Sequence, residues 1–305
     1  MKGARPIRFD GIGLHSGRWV SARVRPTWPG HGIVFVVSTD DGPRRIPARL
    51  RHVQTDRDRR TVLAANGTFV QTPEHLLAAL TGSAIWDAVI QVEGNEIPAL
   101  DGSAEPFVHR LREHGWRATE PRPAWFVRHP VEVREVLPTE PIRMARLEPL
   151  PYEPGRADPQ LILDLVIRYP PPLPSRQSWS GPIEATTFQE TLAGARTYGD
   201  ARHGPALRAR GLALGASPDN TVVFDASGPW VPLRWPDEPV RHKALDVLGD
   251  LALLGGPVHG ILRSWGPGHR LTHALLERAV RCGALVRERR RAEPPKVGTT
   301  LEELR

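Results

Sequence analysis

The chain has 305 residues, 40% of them hydrophobic, with a formal net charge of +7, which is enough apolar material for one large domain or two of middling size. No run approaches the ~20 apolar residues of a bilayer-spanning helix, and the opening MKGARPIRFDGIG lacks the apolar core of a secretion signal. The lone cysteine, Cys282, excludes an internal disulfide and a multi-thiolate zinc site, so a cytoplasmic protein is the expectation.

In chain order, GIGLHSG (11–17) is a glycine-punctuated opening, RWVSARVRP (18–26) alternates as a half-buried strand does, and GIVFVV (32–37) is a short buried run. TPEHLLAAL (72–80) reads as a helix with Thr72 at the N-cap and Pro73 at the first helical position. AIWDAVIQVEG (84–94) is a strand, and EIPALDGSAEPFVHRLREHG (96–115) a strand, a turn and an amphipathic helix. TEPRPAW (119–125) is a natural linker. Beyond it VEVREV, MARLEPL and LILDLVIRY (161–169) are strands, FQETLAGART (188–197) is helical, and TVVFD (221–225) is a strand. A strong helix spans 239–255, HGILRSW (259–265) is a strand, and HRLTHALLERAV (269–280) a final helix.

Each half thus holds several strands and about two helices. The predicted fold class is α+β, with two similar domains at 1–120 and 121–285. Both halves put a charged residue and a histidine near a helix start, which suggests duplication. Lysine occurs only at 2, 243 and 296, and the arginines are scattered except at 287–291. Without a nucleic-acid-binding signature no nucleic-acid partner is expected, and 286–305 reads as a basic, disordered tail.

Three stretches carry candidate chemistry. Glu74 and His75 open the first helix, where free N–H groups favour an ionised carboxylate. His242 and Asp246 are spaced i, i+4 and share one helix face, with Asp250 one turn on. A histidine and a carboxylate one turn apart can share a metal ion, with His75 the obvious third ligand. Two imidazoles, a carboxylate and one open position make a catalytic zinc arrangement. An isolated H-x-x-x-D is also an ordinary surface pair. His269 follows a Gly-Pro-Gly turn that can aim it into a cleft, and His273 lies four residues on.

With GIGLHSG, TPEHLLAAL, EIPALDGSAEPFV, ARTYG (195–199), RGLALGASPDN (210–220), PDEPVRHKALDVLGDL (236–251) and GPGHRLTHALL (266–276) in this order, the chain resembles the UDP-3-O-acyl-N-acetylglucosamine deacetylase family, zinc amidases of lipid A biosynthesis. The resemblance implies two similar α+β domains with the active site between them. It implies Zn²⁺ on His75, His242 and Asp246, with Glu74 as general base. His269 would be the cation that stabilises the oxyanion and protonates the leaving amine. Asp250 would orient His269, and Thr197 would hydrogen-bond the oxyanion. Lys243, Tyr198, Tyr169 and Arg143 would contact an acylated UDP-amino-sugar.

A monomer, with transient proximity to a membrane surface, is expected. An amidase acting on another N-acetylated sugar and a non-catalytic binder of acylated nucleotide sugars are the alternatives. Two positions depart from the family pattern: Pro73 replaces an aliphatic residue, and Gly266 stands where a lysine is usual. Arg263 is a candidate to supply the missing charge.

Overall fold

Strand pairing in the first half follows the alternation in the sequence. The structure, a computed structural model, describes residues 4–55, 59–119, 122–136, 142–151 and 159–288. β1 (Ile7–Ile12) and β2 (Trp19–Pro26) form an antiparallel pair, with Ile7, Phe9, Val20, Ala22 and Val24 buried. β3 (Ile33–Val37), β4 (Arg44–Pro47), the hairpin β5 (Val62–Ala65) and β6 (Thr68–Gln71), α1 (Glu74–Gly82), β7 (Ala88–Glu93) and α2 (Glu105–Glu113) follow. The sheet order is β1-β2-β7-β3-β4, and only the β3–β7 pair is parallel.

The second half contains β8 (Ala124–Val127), β9 (Val131–Glu135), β10 (Arg143–Glu148), β11 (Leu161–Ile167), β12 (Gln177–Pro182) and α3 (Ala185–Thr191). Then come β13 (Tyr198–Asp200), α4 (Gly204–Ala209), β14 (Val222–Asp225), β15 (Gly228–Pro229), α5 (Glu238–Leu251), β16 (Val258–Trp265), α6 (His269–Arg281) and β17 (Leu285–Glu288). Its main sheet runs β9-β10-β16-β11-β12, extended by β8 and β17. In both halves the five-strand order is first, second, last, third, fourth, with a parallel pair between third and last; in the second half β16 also pairs parallel with the added strand β8. The α+β class therefore holds, and the two halves repeat one topology.

The repeat makes α1 and α5 counterparts, each preceding the last strand of its sheet, and the two helices pack against each other. Leu76, Leu77 and Leu80 of α1 join Val240, Leu245 and Val247 of α5 in one continuous core. The first turn of α1 and the His242–Asp246–Asp250 stripe of α5 are thereby brought together where the two halves meet.

Several expectations need correction. Residues 96–100 make isolated bridges, Gln71 to Glu96 and Gly13 to Pro98, rather than a strand. The helix expected over 188–197 ends at Thr191, because the next residues turn and Thr197 N–H then donates to Gly102 O at 2.9 Å. β17 carries the chain in regular structure to Glu288, so the tail expected from 286 starts no earlier than 289, and 289–305 lie outside the described residues. The domain cut at 120/121 also falls outside them. No helix among the described residues is long and apolar enough to cross a membrane.

Candidate metal centre and acid–base pair

The segment entering α1 is unusual. Thr72 has φ +57°, a left-handed conformation that costs energy for a β-branched residue. Its hydroxyl does not cap the helix; it donates to the buried Glu96 carboxylate at 3.2 Å, and Pro73 occupies the cap. Glu96 also accepts from His15 N at 2.7 Å and Ser16 N at 2.9 Å, so one carboxylate ties the GIGLHSG loop to the start of α1. Glu74 and His75 follow in the first turn, both buried.

From the other half, α5 presents Asp246 one turn after His242. His242 donates Nδ1–H to Ala195 O at 2.9 Å, which leaves Nε2 unprotonated and aimed at Asp246 Oδ1, 3.4 Å away. His75 Nε2 stands 3.5 Å from the same oxygen, and the two imidazoles meet edge to face with centroids 5.0 Å apart. Burial pushes His242 down to about 4, so it is a neutral imidazole at pH 7. Burial alone would raise the Asp246 carboxyl, but His242 and the Lys243 ammonium outweigh it and hold it far below the usual range.

The donor set passes a direct test of fit. Asp246 Oδ1 is buried with no hydrogen-bond partner, a costly arrangement for an anion. Its Oδ2 accepts from Lys243 Nζ at 2.8 Å, so the orphan is specifically the oxygen facing both imidazoles. The three ligand atoms lie within 4.8 Å of one another. Two imidazoles and a carboxylate suit a divalent transition-type cation.

A second buried cluster, Asp250, His269 and His273, is built differently. Asp250 accepts from His269 Nδ1 at 2.9 Å, His273 Nε2 at 3.0 Å and Thr61 Oγ1 at 2.7 Å, so its oxygens are satisfied by protein donors. Burial opposes the charge on His269, but Asp250 and Glu74 prevail and hold the imidazolium up at about 10. Its Nε2 faces Glu74 Oε1 at 3.5 Å and Asp246 Oδ2 at 3.9 Å. For Glu74 burial is the largest influence and raises the carboxyl, with His269 and His75 pulling it partly back. The helix-start argument from sequence has the opposite sign to this effect of burial.

The remaining predicted residues gather nearby. Thr197 is half-buried between Ala195, which holds His242, and Tyr198, whose ring lies 6.0 Å from that of His242. Lys243 lies over the Tyr198 ring at 5.6 Å, besides its bond to Asp246. Tyr169 and Tyr198 share a hydroxyl–hydroxyl bond of 2.9 Å. Arg143 pairs with Glu135 at 3.7 Å, and its Cγ would stand 2.9 Å from a Cβ at Gly266, where φ is +70°. The arginine stem thus covers the position at which the family lysine is absent. Arg263 cannot supply that charge, because Glu148 at 3.1 Å and Asp164 engage it.

His15, Glu96 and Thr61 were not singled out from sequence. His15 and Glu96 at least lie within the glycine-rich and EIPALDG stretches, whereas Thr61 belongs to no motif. His15 is driven down to about 3 by burial and by the positive charges of Arg60 and His269.

The chain is similar to known proteins. The chain is 40% identical over 282 residues to the UDP-3-O-acyl-N-acetylglucosamine deacetylase of Thermosynechococcus vestitus, covering 91% of this chain and 92% of that protein. The enzymes of the same name from Syntrophotalea carbinolica and Myxococcus xanthus are each 36% identical, over 279 and 289 residues. Those alignments cover 90% and 93% of this chain, and 85% and 88% of the respective relatives. The model of the UDP-3-O-acyl N-acetylglycosamine deacetylase family matches residues 4–281, and the chain belongs to that family.

Proposed function

We propose that this protein hydrolyses the N-acetyl group of a UDP-3-O-acyl-N-acetylglucosamine, releasing acetate and a free amine, with zinc as the resident metal. The observation that carries the reading is the orphaned Asp246 Oδ1 facing two imidazoles, directly beside an acid–base pair of Glu74 and His269.

His75, His242 and Asp246 would hold the ion. When bound, it supplies Lewis acidity, which polarises a carbonyl and makes water easier to ionise. Glu74 takes a proton from the attacking water, and its raised pKa brings it toward the range where a general base works at neutral pH. Charge develops on the acetyl oxygen as the new C–O bond forms. Thr197 donates a hydrogen bond to that oxygen, and cationic His269 stabilises it electrostatically. As the C–N bond breaks, His269 delivers its Nε2 proton to the departing nitrogen. Asp250 holds His269 in the protonated, correctly turned state.

Lys243, Tyr198, Tyr169 and Arg143 form the proposed substrate wall. Tyr198, close to His242, would meet the sugar, and Tyr169 the uracil. Arg143, arching over Gly266, would face the phosphates. We place the protein in the cytoplasm as a monomer of two α+β domains, with the acyl chain of its substrate the reason for transient contact with a membrane surface.

The alternative of a different N-acetylated sugar rests on Gly266. A panel of N-acetylated sugars assayed beside UDP-3-O-acyl-N-acetylglucosamine tests both readings. Acetate release from the acylated UDP-sugar is expected, and turnover of another sugar alone would replace the first reading with the second.

A further inference from the structure

We infer that Thr61 is a positioning residue that ties the proposed base to the proposed acid across the two halves of the molecule. This rests on the assignment of Glu74 and His269 above. Thr61 is 1% exposed and stands at the approach to β5, in the first half of the chain. Its carbonyl accepts from Thr72 N at 2.9 Å, which fixes it against the strained segment entering α1. Its N–H faces the Glu74 carboxylate, 3.4 Å from Oε2 and 3.5 Å from Oε1. Its hydroxyl crosses to the second half and donates to Asp250 Oδ1 at 2.7 Å, a partner 189 residues away in sequence.

The hydroxyl has one proton, and its neighbours decide where that proton goes. Asp250 is a carboxylate and can only accept. His269 Nδ1 and His273 Nε2 each lie 3.3 Å from Thr61 Oγ1, but both are closer to Asp250, at 2.9 and 3.0 Å. The imidazole N–H groups therefore donate to Asp250, and so does Thr61. Three donors from β5's approach and α6 grip one carboxylate, and that carboxylate sets the rotation of the His269 ring. A charge-assisted bond in a water-poor site is stronger than a neutral one. Without it Asp250 gains rotational freedom, and His269 Nε2 loses its fixed distance to Glu74. Thr61 touches none of the proposed reacting atoms with its side chain, so its effect passes through Asp250 and the backbone of the Glu74 approach.

The test compares Thr61→Val, which keeps the branched shape and removes the hydroxyl, with Thr61→Ser, which keeps the hydroxyl. Acetate release from UDP-3-O-acyl-N-acetylglucosamine, zinc content and thermal melting are measured on each intact protein. Thr61→Val should lower kcat on the order of tenfold to a hundredfold, the effect of losing a hydrogen bond to a charged group, with KM and zinc content little changed. Thr61→Ser should recover most of that loss. In an Asp250→Asn background Thr61→Val should cost little more, because the bond's partner is already altered. The inference is overturned if Thr61→Val keeps wild-type kcat, if Thr61→Ser falls as far as the valine variant, or if the valine effect is undiminished in the Asp250→Asn background. A valine variant too unstable to assay leaves the serine comparison decisive: serine activity near that of wild type supports the hydroxyl, and a large serine loss refutes it. Wild-type protein without activity would instead overturn the functional assignment itself.

Discussion

Gly249 of α5 lies directly against the backbone of Glu74 in α1. A Cβ at Gly249 would overlap the Glu74 carbonyl oxygen and stand 3.0 Å from its Cα. This close approach lets two helices from different halves put Glu74, His75, His242 and Asp246 within reach of one another. Gly249→Ala should therefore push the helices apart, destabilising the protein by about 1–3 kcal/mol, as overpacking does. It should also lower kcat more than a stability change alone explains. Thermal melts and turnover on the same variant check this, and unchanged values for both would mean that the helices have room to spare.

Glu74→Gln keeps the side-chain volume and removes the base. Turnover should fall by roughly 10²–10⁴-fold, the usual worth of general-base catalysis. Zinc content should hold, because Glu74 is outside the proposed ligand triad. Loss of metal in this variant would make Glu74 a ligand instead.

The pH dependence has a definite sign. Burial first lifts the Glu74 carboxyl, so kcat/KM should rise with pH along a limb above the ordinary carboxylate range. His269, held at about 10 against the effect of burial by Asp250 and Glu74, should give a falling limb near that pH. Asp250→Asn removes the principal support of the imidazolium and should move the falling limb to lower pH. For folding, the raised His269 contributes its full stabilisation below its ordinary value of 6.5 and loses it as pH climbs through about 10. Melts between these limits should show wild type losing its advantage over Asp250→Asn.

Glu238 supports the candidate metal centre from behind. Its carboxylate is 1% exposed and accepts from Arg196 N at 3.0 Å, Arg196 Nε at 2.8 Å and Arg234 N at 2.7 Å. Arg196 adjoins Ala195, the residue that holds His242. Glu238→Gln leaves Arg196 without its counter-charge and should cost about 3 kcal/mol at pH 7. Burial raises the Glu238 carboxyl, but the bonds from Arg196 and Arg234 prevail and hold it below its ordinary 4.5. Its stabilisation is therefore present above pH 4.5 and fades as pH falls below that, so the variant's deficit should shrink toward acid. Denaturant titrations at pH 7 and in acid would reveal it.

Much of the site is legible in the chain. The i, i+4 spacing of His242 and Asp246 fixes their shared face, and Glu74–His75 announces itself at a helix start. Periodicity recovers the long strands and α5. What it leaves out is long-range: nothing in local pattern says that α1 and α5 are topological counterparts, or that β7 and β16 pair parallel with β3 and β11. Support from backbone is invisible too, since the Ala195 carbonyl that sets the His242 tautomer is independent of side-chain type. Thr61 lies in no motif, and its importance arises only when Asp250 folds against it. Thr72 reads as a helix cap because its type suits one, yet Glu96, distant in sequence, claims its hydroxyl.

The central claim is a metal-dependent deacetylase, and one preparation tests it. Metal content and acetate release from UDP-3-O-acyl-N-acetylglucosamine are measured on purified protein, after chelation, and after zinc is returned. The expected result is about one Zn²⁺ per chain, as in a three-ligand catalytic site, with activity lost on chelation and restored by zinc. A folded, metal-free protein that still releases acetate, or a zinc-loaded one inert on this substrate, would contradict the account.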